Sequence, residues 1–301
     1  MRVNDFLAEA GKPPIFTVKL VGLNSETSMK RGLFSVRPDA LIQDVPRTDL
    51  IIIPAVHGDM KTILSVNEPM LNWIVQQYKQ GAAIASLCIG AFVLAGTGLL
   101  EGRSCATHWE FAADFRKMFP GVNLVEHKIL TDENGIFTSG GAYSWLNLIL
   151  YLIEKYAGRD IAILCAKGFE IDIDRHSQSP FIIFRSQKDH EDEAVKKAQE
   201  YIETNADARI TVGSLASMLA VGRRNLERRF KKATANTVME YVQRVKIEAV
   251  KKSLESSRLG VNEAMDKAGY SDPKAFRAVF KKVTGLSPLQ YRNRYNREFA
   301  E

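Results

Sequence analysis

Two stretches of the C-terminal third repeat each other 50 residues apart, and this repeat constrains the possible fold more than any other feature. Residues 226–241 and 276–291 align without a gap. Self-similarity at a fixed spacing indicates two copies of one supersecondary unit. The identical pairs are Phe230 and Phe280, Lys231 and Lys281, Lys232 and Lys282, Thr234 and Thr284, and Tyr241 and Tyr291.

Each copy has the pattern of a helix-turn-helix unit. Apolar residues four apart, Leu226 with Phe230 and Phe276 with Phe280, predict the buried side of each second helix. Asp272 or Ser271 can cap the second helix of the second copy, and Pro273 suits its first turn. The predicted parts are a helix over 212–219, a turn at Val221-Gly222, a helix over 223–232, a helix over 261–268, a turn at Gly269-Tyr270 and a helix over 272–282.

The outward side of both second helices is strongly basic. Arginine can pair with guanine edges in a bidentate way, asparagine matches adenine, glutamate accepts from cytosine, and lysine suits phosphates. A single run of charges is usually a solvated surface, but recurrence at one spacing favours DNA binding. The charged and polar residues are Arg223, Arg224, Asn225, Glu227, Arg228 and Arg229 in the first copy, and Lys274, Arg277, Lys281 and Lys282 in the second.

A helix over 238–256 joins the copies and has two apolar sides. A helix of this kind is buried between two bodies. We expect it to hold both recognition helices in successive segments of the major groove, on one face of the duplex. One side carries Val242, Val245 and Ala249, and the other carries Ile247, Val250 and Leu254.

The charge distribution supports a polyanionic partner for this part of the chain. Residues 1–196 hold 20 Lys and Arg against 23 Asp and Glu, whereas residues 197–301 hold 21 against 12. With 301 residues, 46% hydrophobic and 25% charged, the chain has the composition of a globular protein of about two domains. Three cysteines exclude a disulfide framework and indicate a reducing compartment, and no Cys/His set has metal-ligand spacing.

The N-terminal half alternates β-rich and helical segments, which predicts an α/β domain with a largely parallel sheet covered on both faces. Residues 81–100 contain no charge, but their four glycines and small side chains favour a buried strand-turn-helix over a membrane span. The predicted strands cover 16–21, 49–53, 82–87, 123–125, 129–130 and 135–138, and the predicted helices cover 70–80, 91–97, 109–119 and 143–156.

Cys88 lies where a strand of small apolar residues passes into an apolar helix. Ser86 and Gly90, two residues before and after it, give the small neighbours that a nucleophile elbow requires. A helix N-terminus also lowers a thiol pKa. His108, with Glu110 close by, is a possible imidazole partner. Cys105 and Cys165 stand among small apolar residues and are expected in the core.

Residues 3–187 resemble the PfpI-type glutamine-amidotransferase-like superfamily, as it occurs in the GlxA-like group of regulators. The resemblance implies an α/β sensor and dimerisation domain whose effector is a nitrogen-containing metabolite, with a pocket at Cys88, Ile89, His108 and Gly140. Met1–Phe6 resembles the middle of the family's first helix, so the strand and acidic residue that precede it are expected upstream or lost. The matching segments are 49–54, 88–95, 98–100, 107–109, 138–141 and 178–181.

One departure from that family bears on catalysis. Ala55-Val56 replaces a glycine pair whose backbone N–H groups could turn toward an oxyanion. We therefore expect a non-catalytic ligand pocket rather than an active hydrolase.

Residues 194–297 closely resemble the AraC/XylS-type DNA-binding domain. The resemblance places Arg224, Glu227, Arg228, Lys274 and Arg277 toward the bases. Gly222, Ala235 and Val238 replace a serine cap, a glycine and a proline of that family, so looser ends are expected in the first unit. The matching residues are Leu215-Ala216, Leu226, Arg228, Phe230-Lys231-Lys232, Gly269-Tyr270, Phe276, Phe280-Lys281-Lys282, residues 284–288 and Tyr291-Arg292.

These observations predict a sequence-specific transcription regulator, expected to be an activator. Its predicted parts are a sensor domain over 1–184, a linker over 185–193 and a DNA-binding domain over 194–297. We expect promoter DNA, a small-molecule effector, a second copy of the chain and RNA polymerase as partners, a cytoplasmic location, and no cofactor, metal or membrane. Two alternatives stay open, a Cys88-dependent amidase or protease carrying a DNA-binding domain, and a nonspecific architectural DNA binder.

Overall fold

The computed structural model describes residues 2–29 and 32–296. The chain divides into two compact units, Met1–Gln178 and Ser179–Glu301. Met1 and Arg297, which the predicted domain bounds include, lie outside the described residues.

The first unit alternates strands and helices. Its strands are β1 (Val21–Gly22), β2 (Thr27–Met29), β3 (Phe34–Val36), β4 (Ala40–Leu41), β5 (Leu50–Ile53), β6 (Ala83–Ser86), β7 (Ser104–Cys105), β8 (Asn123–Leu124), β9 (Leu130–Glu133) and β10 (Ile136–Ser139). Its helices are α1 (Arg2–Glu9), α2 (Met60–Val66), α3 (Glu68–Lys79), α4 (Ala91–Gly96), α5 (Ala112–Met118), α6 (Ser144–Ala157) and α7 (Arg159–Gly168).

The central sheet has four strands in the order β5-β6-β10-β9. Strands β5, β6 and β10 are parallel, and β9 runs antiparallel to β10. Asn134 and Gly135 join β9 to β10 with φ values of 54° and 82°, which suit a tight hairpin turn. The predicted largely parallel sheet is therefore confirmed.

Successive residues of the central strands enter different cores, as the pleat requires. Ile84 belongs to a large core that also contains Phe92, Leu94 and Phe115, whereas Ala85 packs in a smaller core under α6. Helices therefore cover both faces of the sheet, and the strand ends that carry the cysteine motif are held from both sides.

The predicted strand over residues 16–21 is wrong, because only Val21 of this segment lies in a strand. The Asn4 amide oxygen accepts the N–H groups of Ile15 and Phe16 at 3.3 and 3.2 Å, and its nitrogen donates to the Phe16 carbonyl at 2.7 Å. The Asp39 carboxylate accepts the N–H of Leu20 at 2.7 Å. Side chains thus satisfy backbone groups that a strand ladder would use.

The N-terminal half differs from the sequence predictions in several further places. Helices α2 and α7 and the short strands β2, β3, β4 and β7 were not predicted. The helix expected over 109–119 begins as a 3₁₀ turn, Trp109–Phe111, before α5. A short apolar run does not show whether a segment forms a helix, a 3₁₀ turn or a loop, since packing decides between them.

Residues 179–184, which the sequence analysis assigned to the sensor domain, pack within the second unit. The Phe184 N–H donates to the Glu248 carboxylate at 3.2 Å, and the Phe184 ring lies 5.0 Å from the Tyr241 ring. The Lys251 amine donates to the Ile182 carbonyl at 2.6 Å. Apolar character alone could not show which unit this segment would join.

The second unit is helical. Its longest helix, α11, is buried on two sides, as predicted: Tyr241 and Val242 pack in the core of the first helix-turn-helix unit, and Ile247 and Val250 in that of the second. Its helices are α8 (Glu193–Thr204), α9 (Val212–Met218), α10 (Arg223–Thr234), α11 (Val238–Ser256), α12 (Val261–Lys267), α13 (Pro273–Thr284) and α14 (Pro288–Tyr295).

The sequence repeat is a structural repeat. The Thr234 hydroxyl donates to the Phe230 carbonyl at 2.8 Å, and Thr284 does the same to Phe280 at 2.8 Å. The Phe230 ring meets the Tyr241 ring edge-on at 5.3 Å, and Phe280 meets Tyr291 at 5.5 Å. Three of the five identities therefore close the end of each recognition helix onto the helix that follows.

The two copies differ at the residue that ends the recognition helix. Ala235 has φ 56° and Gly285 has φ 76°, both in the left-handed region. Only glycine adopts this region at little cost. Ala235 is therefore strained where Gly285 is not. Gly222 begins α10 without a side-chain cap, whereas Asp272 caps α13 by accepting the N–H of Lys274 at 2.8 Å.

We expect Ala235→Gly to stabilise the first helix-turn-helix unit by about 1 kcal/mol, because glycine relieves the left-handed strain of alanine. Native-state hydrogen exchange of the slowest α11 amides measures the change. Ala278→Gly, in the exposed middle of α13, is the control and should destabilise by about 1 kcal/mol. An Ala235→Gly variant that is no more stable than the wild type would contradict the strain assigned to Ala235.

Candidate nucleic-acid interface and cysteine site

The recognition helices α10 and α13 are each buried along one side. Leu226 and Phe230 anchor α10, and Phe276 and Phe280 anchor α13, all at 1% exposure or less. Because these anchors repeat every fourth residue, the opposite side of each helix is left to solvent.

The exposed side of α10 brings together most of the predicted DNA-binding residues. Arg223, Arg224, Asn225 and Arg228 are exposed, and Glu227 is partly exposed. The Arg228 guanidinium donates to the Asn225 amide oxygen at 3.2 Å, and the Arg223 Nε lies 3.4 Å from the Glu227 carboxylate. Such surface pairs are weak and can exchange for base edges or phosphates.

Arg229, on the same helix, makes a different contact. Its guanidinium donates to both carboxylate oxygens of Asp192, at 2.7 and 2.5 Å. This bidentate bond lowers the pKa of Asp192 and raises that of Arg229. Asp192 also caps α8, so Arg229 fastens α8 to α10. Arg229 therefore stabilises the packing of α8 on α10, unlike its exposed basic neighbours.

The exposed side of α13 repeats the arrangement. Lys274, Arg277 and Lys281 are all exposed. At the offset of 50 they correspond to Arg224, Glu227 and Lys231, so the two helices present their polar groups from the same helical positions. In chemical terms both faces can donate hydrogen bonds to guanine edges and phosphates.

In the first unit, Cys88 occupies a strained turn directly after β6. Its φ is 55°, in the left-handed region, and Cys88–Gly90 forms a single 3₁₀ turn before α4. A Cβ at Gly90 would lie 2.5 Å from the Pro54 carbonyl oxygen. The sharp strand-to-helix turn and its need for a small following residue match the predicted elbow.

Hydrogen bonds around Cys88 hold its backbone, and burial disfavours ionisation of its thiol. The Cys88 N–H donates to the Ser139 hydroxyl at 3.1 Å, and the Thr107 hydroxyl donates to the Cys88 carbonyl at 3.0 Å. Burial raises the thiol pKa, and the N–H groups of Ala142 and Ile89 only partly offset it. An activated nucleophile needs the opposite shift.

His108 contacts the loop that faces this turn. Its Nδ1 accepts the Glu110 N–H at 3.1 Å, and a Cβ at Gly141 would lie 2.4 Å from the imidazole. Burial lowers the His108 pKa, against the attraction of Glu110. The imidazole is thus neutral near pH 7 and already uses one ring nitrogen.

The other two predicted pocket residues are buried. Ile89 is 2% exposed and packs in the main core, so its side chain is a core residue. Gly140 lies against Gln178, whose amide nitrogen would be 2.8 Å from an added Cβ. The pocket role of Cys88, Ile89, His108 and Gly140 stays a prediction.

Gln178 is a site residue that the sequence analysis did not single out. It is 1% exposed. Its amide nitrogen donates to the carbonyls of Thr107 and Lys128 at 3.0 and 3.2 Å, and its oxygen accepts the Gly141 N–H at 3.1 Å. One side chain thus fastens the His108 loop to the Gly140-Gly141 loop. Such long-range bonding leaves no local signal in the sequence.

Several further features bear on the chemistry of the first unit. Cys105 and Cys165 are core residues, as predicted, and burial raises the pKa of Cys105 to about 12. A cleft of about 580 Å³ lies beside Trp73 and Gln77, apart from the cysteine turn. Within residues 2–29 and 32–296, no cluster of metal-ligand side chains and no helix able to cross a membrane is found.

Comparison with known families assigns both units. A helix-turn-helix domain model matches residues 215–294, and the DJ-1/PfpI family model matches residues 5–155. The fold and the paired basic helices define a DNA-binding transcriptional regulator with an AraC-type domain. The chain belongs to the DJ-1/PfpI family, in the group whose α/β domain precedes such a helix-turn-helix domain.

Individual relatives show the same combination. The chain is 25% identical over 268 residues to the HTH-type transcriptional regulator GbdR of Pseudomonas aeruginosa, covering 85% of this chain and 69% of that protein. It is 26% identical over 217 residues to the HTH-type transcriptional regulator GlxA of Rhizobium meliloti, covering 71% and 66%.

Two further likenesses cover a smaller share of the chain. Isonitrile hydratase of Pseudomonas putida is 30% identical over 147 residues, covering 48% of this chain and 59% of that enzyme. A crystal structure from Vibrio parahaemolyticus superposes with a TM-score of 0.50 at 24% identity, covering 56% of this chain and 87% of that one. The two relatives above that cover more than two thirds of this chain are both regulators.

We expect Cys88 to react slowly with iodoacetamide at pH 7.5, at least about fivefold slower than a cysteine in an unstructured peptide, because burial disfavours its thiolate. The rate should keep rising above pH 9. Peptide mass spectrometry separates Cys88 from the buried Cys105 and Cys165. A rate that levels off below pH 8 would instead indicate an activated thiolate.

Proposed function

We propose that this chain regulates transcription by reading bases in two successive major-groove segments. The observation that carries the proposal is the recurrence of an exposed basic face at equivalent positions of α10 and α13, each anchored by the same buried Phe. The residues proposed to contact DNA are Arg223, Arg224, Asn225, Glu227, Arg228, Lys274, Arg277 and Lys281.

Their chemistry divides these residues into two roles. Arg224, Arg228 and Arg277 can each pair with a guanine edge in a bidentate way, Asn225 suits adenine and Glu227 suits cytosine. Lys281, one turn before the end of α13, is placed to neutralise phosphate, which adds affinity without sequence choice. A regulator of this kind depends on the first group for specificity and on the second for binding strength.

We further propose that the first unit binds a small metabolite beside Cys88, His108 and the Gly140-Gly141 loop. Gln178 supports this proposal, since it is bonded to both loops and is followed directly by Ser179, the first residue of the second unit. Residues 182 and 184 are in turn bonded to Lys251 and Glu248 of α11. A ligand that displaces either loop would shift the chain that enters the DNA-binding unit.

The remaining parts of the proposal rest on the resemblance to AraC-type regulators. We infer that the chain acts as a dimer in the cytoplasm, and that it activates transcription through RNA polymerase. The effector regulates only if it binds more tightly to the arrangement of the chain that favours DNA binding.

The similarity to isonitrile hydratase raises an enzymatic role for Cys88, and the local chemistry argues against it. The thiol pKa is raised, and the imidazole Nδ1 of His108 is occupied by the Glu110 N–H. A Cys88→Ser variant separates the two functions. Regulation that survives this substitution, with no turnover of amides or isonitriles by the wild type, excludes the enzyme.

Arg228→Ala should weaken binding to the cognate site by about 1–3 kcal/mol and relax the choice of base at one position, because a bidentate base contact is lost. Mobility-shift titrations on DNA selected from a random pool measure both effects. Equal losses on selected and scrambled DNA would mean that Arg228 contacts only phosphate.

Arg229→Ala is the matched control, since Arg229 bonds Asp192 instead of facing outward. It should lower stability and leave base preference unchanged. A wild type that binds selected and scrambled DNA equally, with a steep salt dependence, would be a nonspecific architectural binder.

Gln178→Ala should uncouple the two units. Since coupling is reciprocal, DNA binding by the wild type should alter hydrogen exchange of the 140–142 amides, and the variant should lose most of that change. Ser177→Ala, which removes one hydrogen bond to the His127 carbonyl, is the control. If DNA binds but the variant and the wild type show the same exchange at 140–142, Gln178 does not carry the coupling.

A further inference from the structure

The two helix-turn-helix units differ in the turn before the recognition helix. In the first turn Ala220 adopts φ 51°, and in the second Gly269 adopts φ 69°. Both residues end a short helix by donating to a carbonyl three residues back, at 3.2 Å for Ala220 and 2.9 Å for Gly269. The backbone conformation is therefore shared, and it does not explain why the second turn has glycine.

The reason lies in a contact with the first helix-turn-helix unit. A Cβ at Gly269 would lie 1.8 Å from the carbonyl oxygen of Asp207, which is in the loop between α8 and α9. No side chain fits there without moving the Asp207 backbone. Gly269 thus lets the backbones of the two helix-turn-helix units touch directly.

Lys246, from the middle of α11, lies at the same point. It is 7% exposed, and its amine donates to the Ala268 carbonyl at 2.8 Å. The amine lies 5.5 Å from the centre of the Tyr270 ring and 3.1 Å from the position of a Gly269 Cβ. Burial lowers the pKa of the Lys246 amine, and the Asp207 carboxylate partly offsets this by attracting its positive charge.

This contact restrains a motion that the rest of the domain permits. The two units have separate hydrophobic cores, and both cores use α11. Residues 179–184 also touch both units, through Phe184 against Tyr241 and Pro180 against Tyr295. Beyond these two links, twisting and bending about α11 are the soft motions of the pair. Contact between Asp207 and Gly269, reinforced by Lys246, lies off the α11 axis and opposes them.

We propose that the contact of Asp207, Lys246 and Gly269 fixes the separation and phase of the two recognition helices, and so sets the length of DNA site that the protein accepts. The proposal rests on base reading by both α10 and α13. Lys246 is a positioning residue in this proposal, because it acts on DNA only through the placement of α13.

DNA geometry makes the proposal measurable. One base pair inserted between the two contacted segments moves the second by about 3.4 Å and rotates it by about 34°, given 10–10.5 base pairs per turn. A rigid pair of helices cannot follow this change, whereas a loosened pair can. The quantity to measure is the affinity for the unaltered site divided by the affinity for the lengthened site. A substitution that changes phosphate binding equally on both sites leaves this ratio unchanged.

The experiment uses the full chain and DNA selected from a random pool by the wild type, with the two contacted segments mapped by footprinting. We expect the insertion to weaken wild-type binding at least about tenfold and Lys246→Met binding about threefold or less. Methionine keeps the buried stem but removes the amine. Lys252→Met, on the exposed side of α11, is the matched control and should keep the wild-type ratio.

A second pair of variants covers the case in which Lys246→Met does not fold, as judged by circular dichroism. Asp207→Lys places a repelling charge beside Lys246 at an exposed position. Asp266→Lys makes the same charge change at an exposed position of α12 and is the control. Only Asp207→Lys should lower the ratio.

The outcomes distinguish this proposal from base reading itself. Folded Lys246→Met or Asp207→Lys protein that keeps the full tenfold ratio overturns the positioning role while sequence-specific binding stands. A wild type without sequence preference overturns base reading, and the positioning proposal with it.

Discussion

The second unit depends on the burial of one helix, α11, by two cores. Tyr241 and Val242 near its start close the first core, and Ile247, Val250 and Leu254 close the second. Exposing either buried side of α11 would cost about 25 cal/mol per Å² of apolar surface. This cost keeps both helix-turn-helix units packed against the same helix. Both recognition helices are therefore carried by α11.

The repeat shows which residues this arrangement needs. Phe, Thr and Tyr are kept in both copies, because they join the end of the recognition helix to the helix behind it through a ring contact and a hydroxyl bond. The residue after the Thr differs between the copies: Ala235 stands where the second copy has Gly285, and it bears the strain of the left-handed conformation. The outward residues differ most, as expected if each helix meets different bases.

Local pattern predicted those parts of the structure that local chemistry decides. The strands β5 and β6, the bounds of α11 and the Asp272 cap all follow from neighbours in the sequence. The left-handed Ala235 followed instead from the family resemblance, because that family has a glycine at this position. The segment 16–21 was missed because Asn4 and Asp39, distant in sequence, bond its backbone. The role of Gln178 and the packing of residues 179–184 were missed for the same reason, since each is decided by partners that no window of sequence contains.

The cysteine turn separates geometry from reactivity. Positive φ at Cys88 is costly and persists only where its surroundings enforce it, which here are the Ser139 hydroxyl, the Thr107 hydroxyl and the close approach of Gly90 to Pro54. None of these contacts acts on the sulfur, and burial works against its ionisation. The turn is thus held by backbone packing that does not require a nucleophile. A shaped site can persist on that packing after thiol chemistry is lost, which is the condition under which an enzyme fold can be retained for binding.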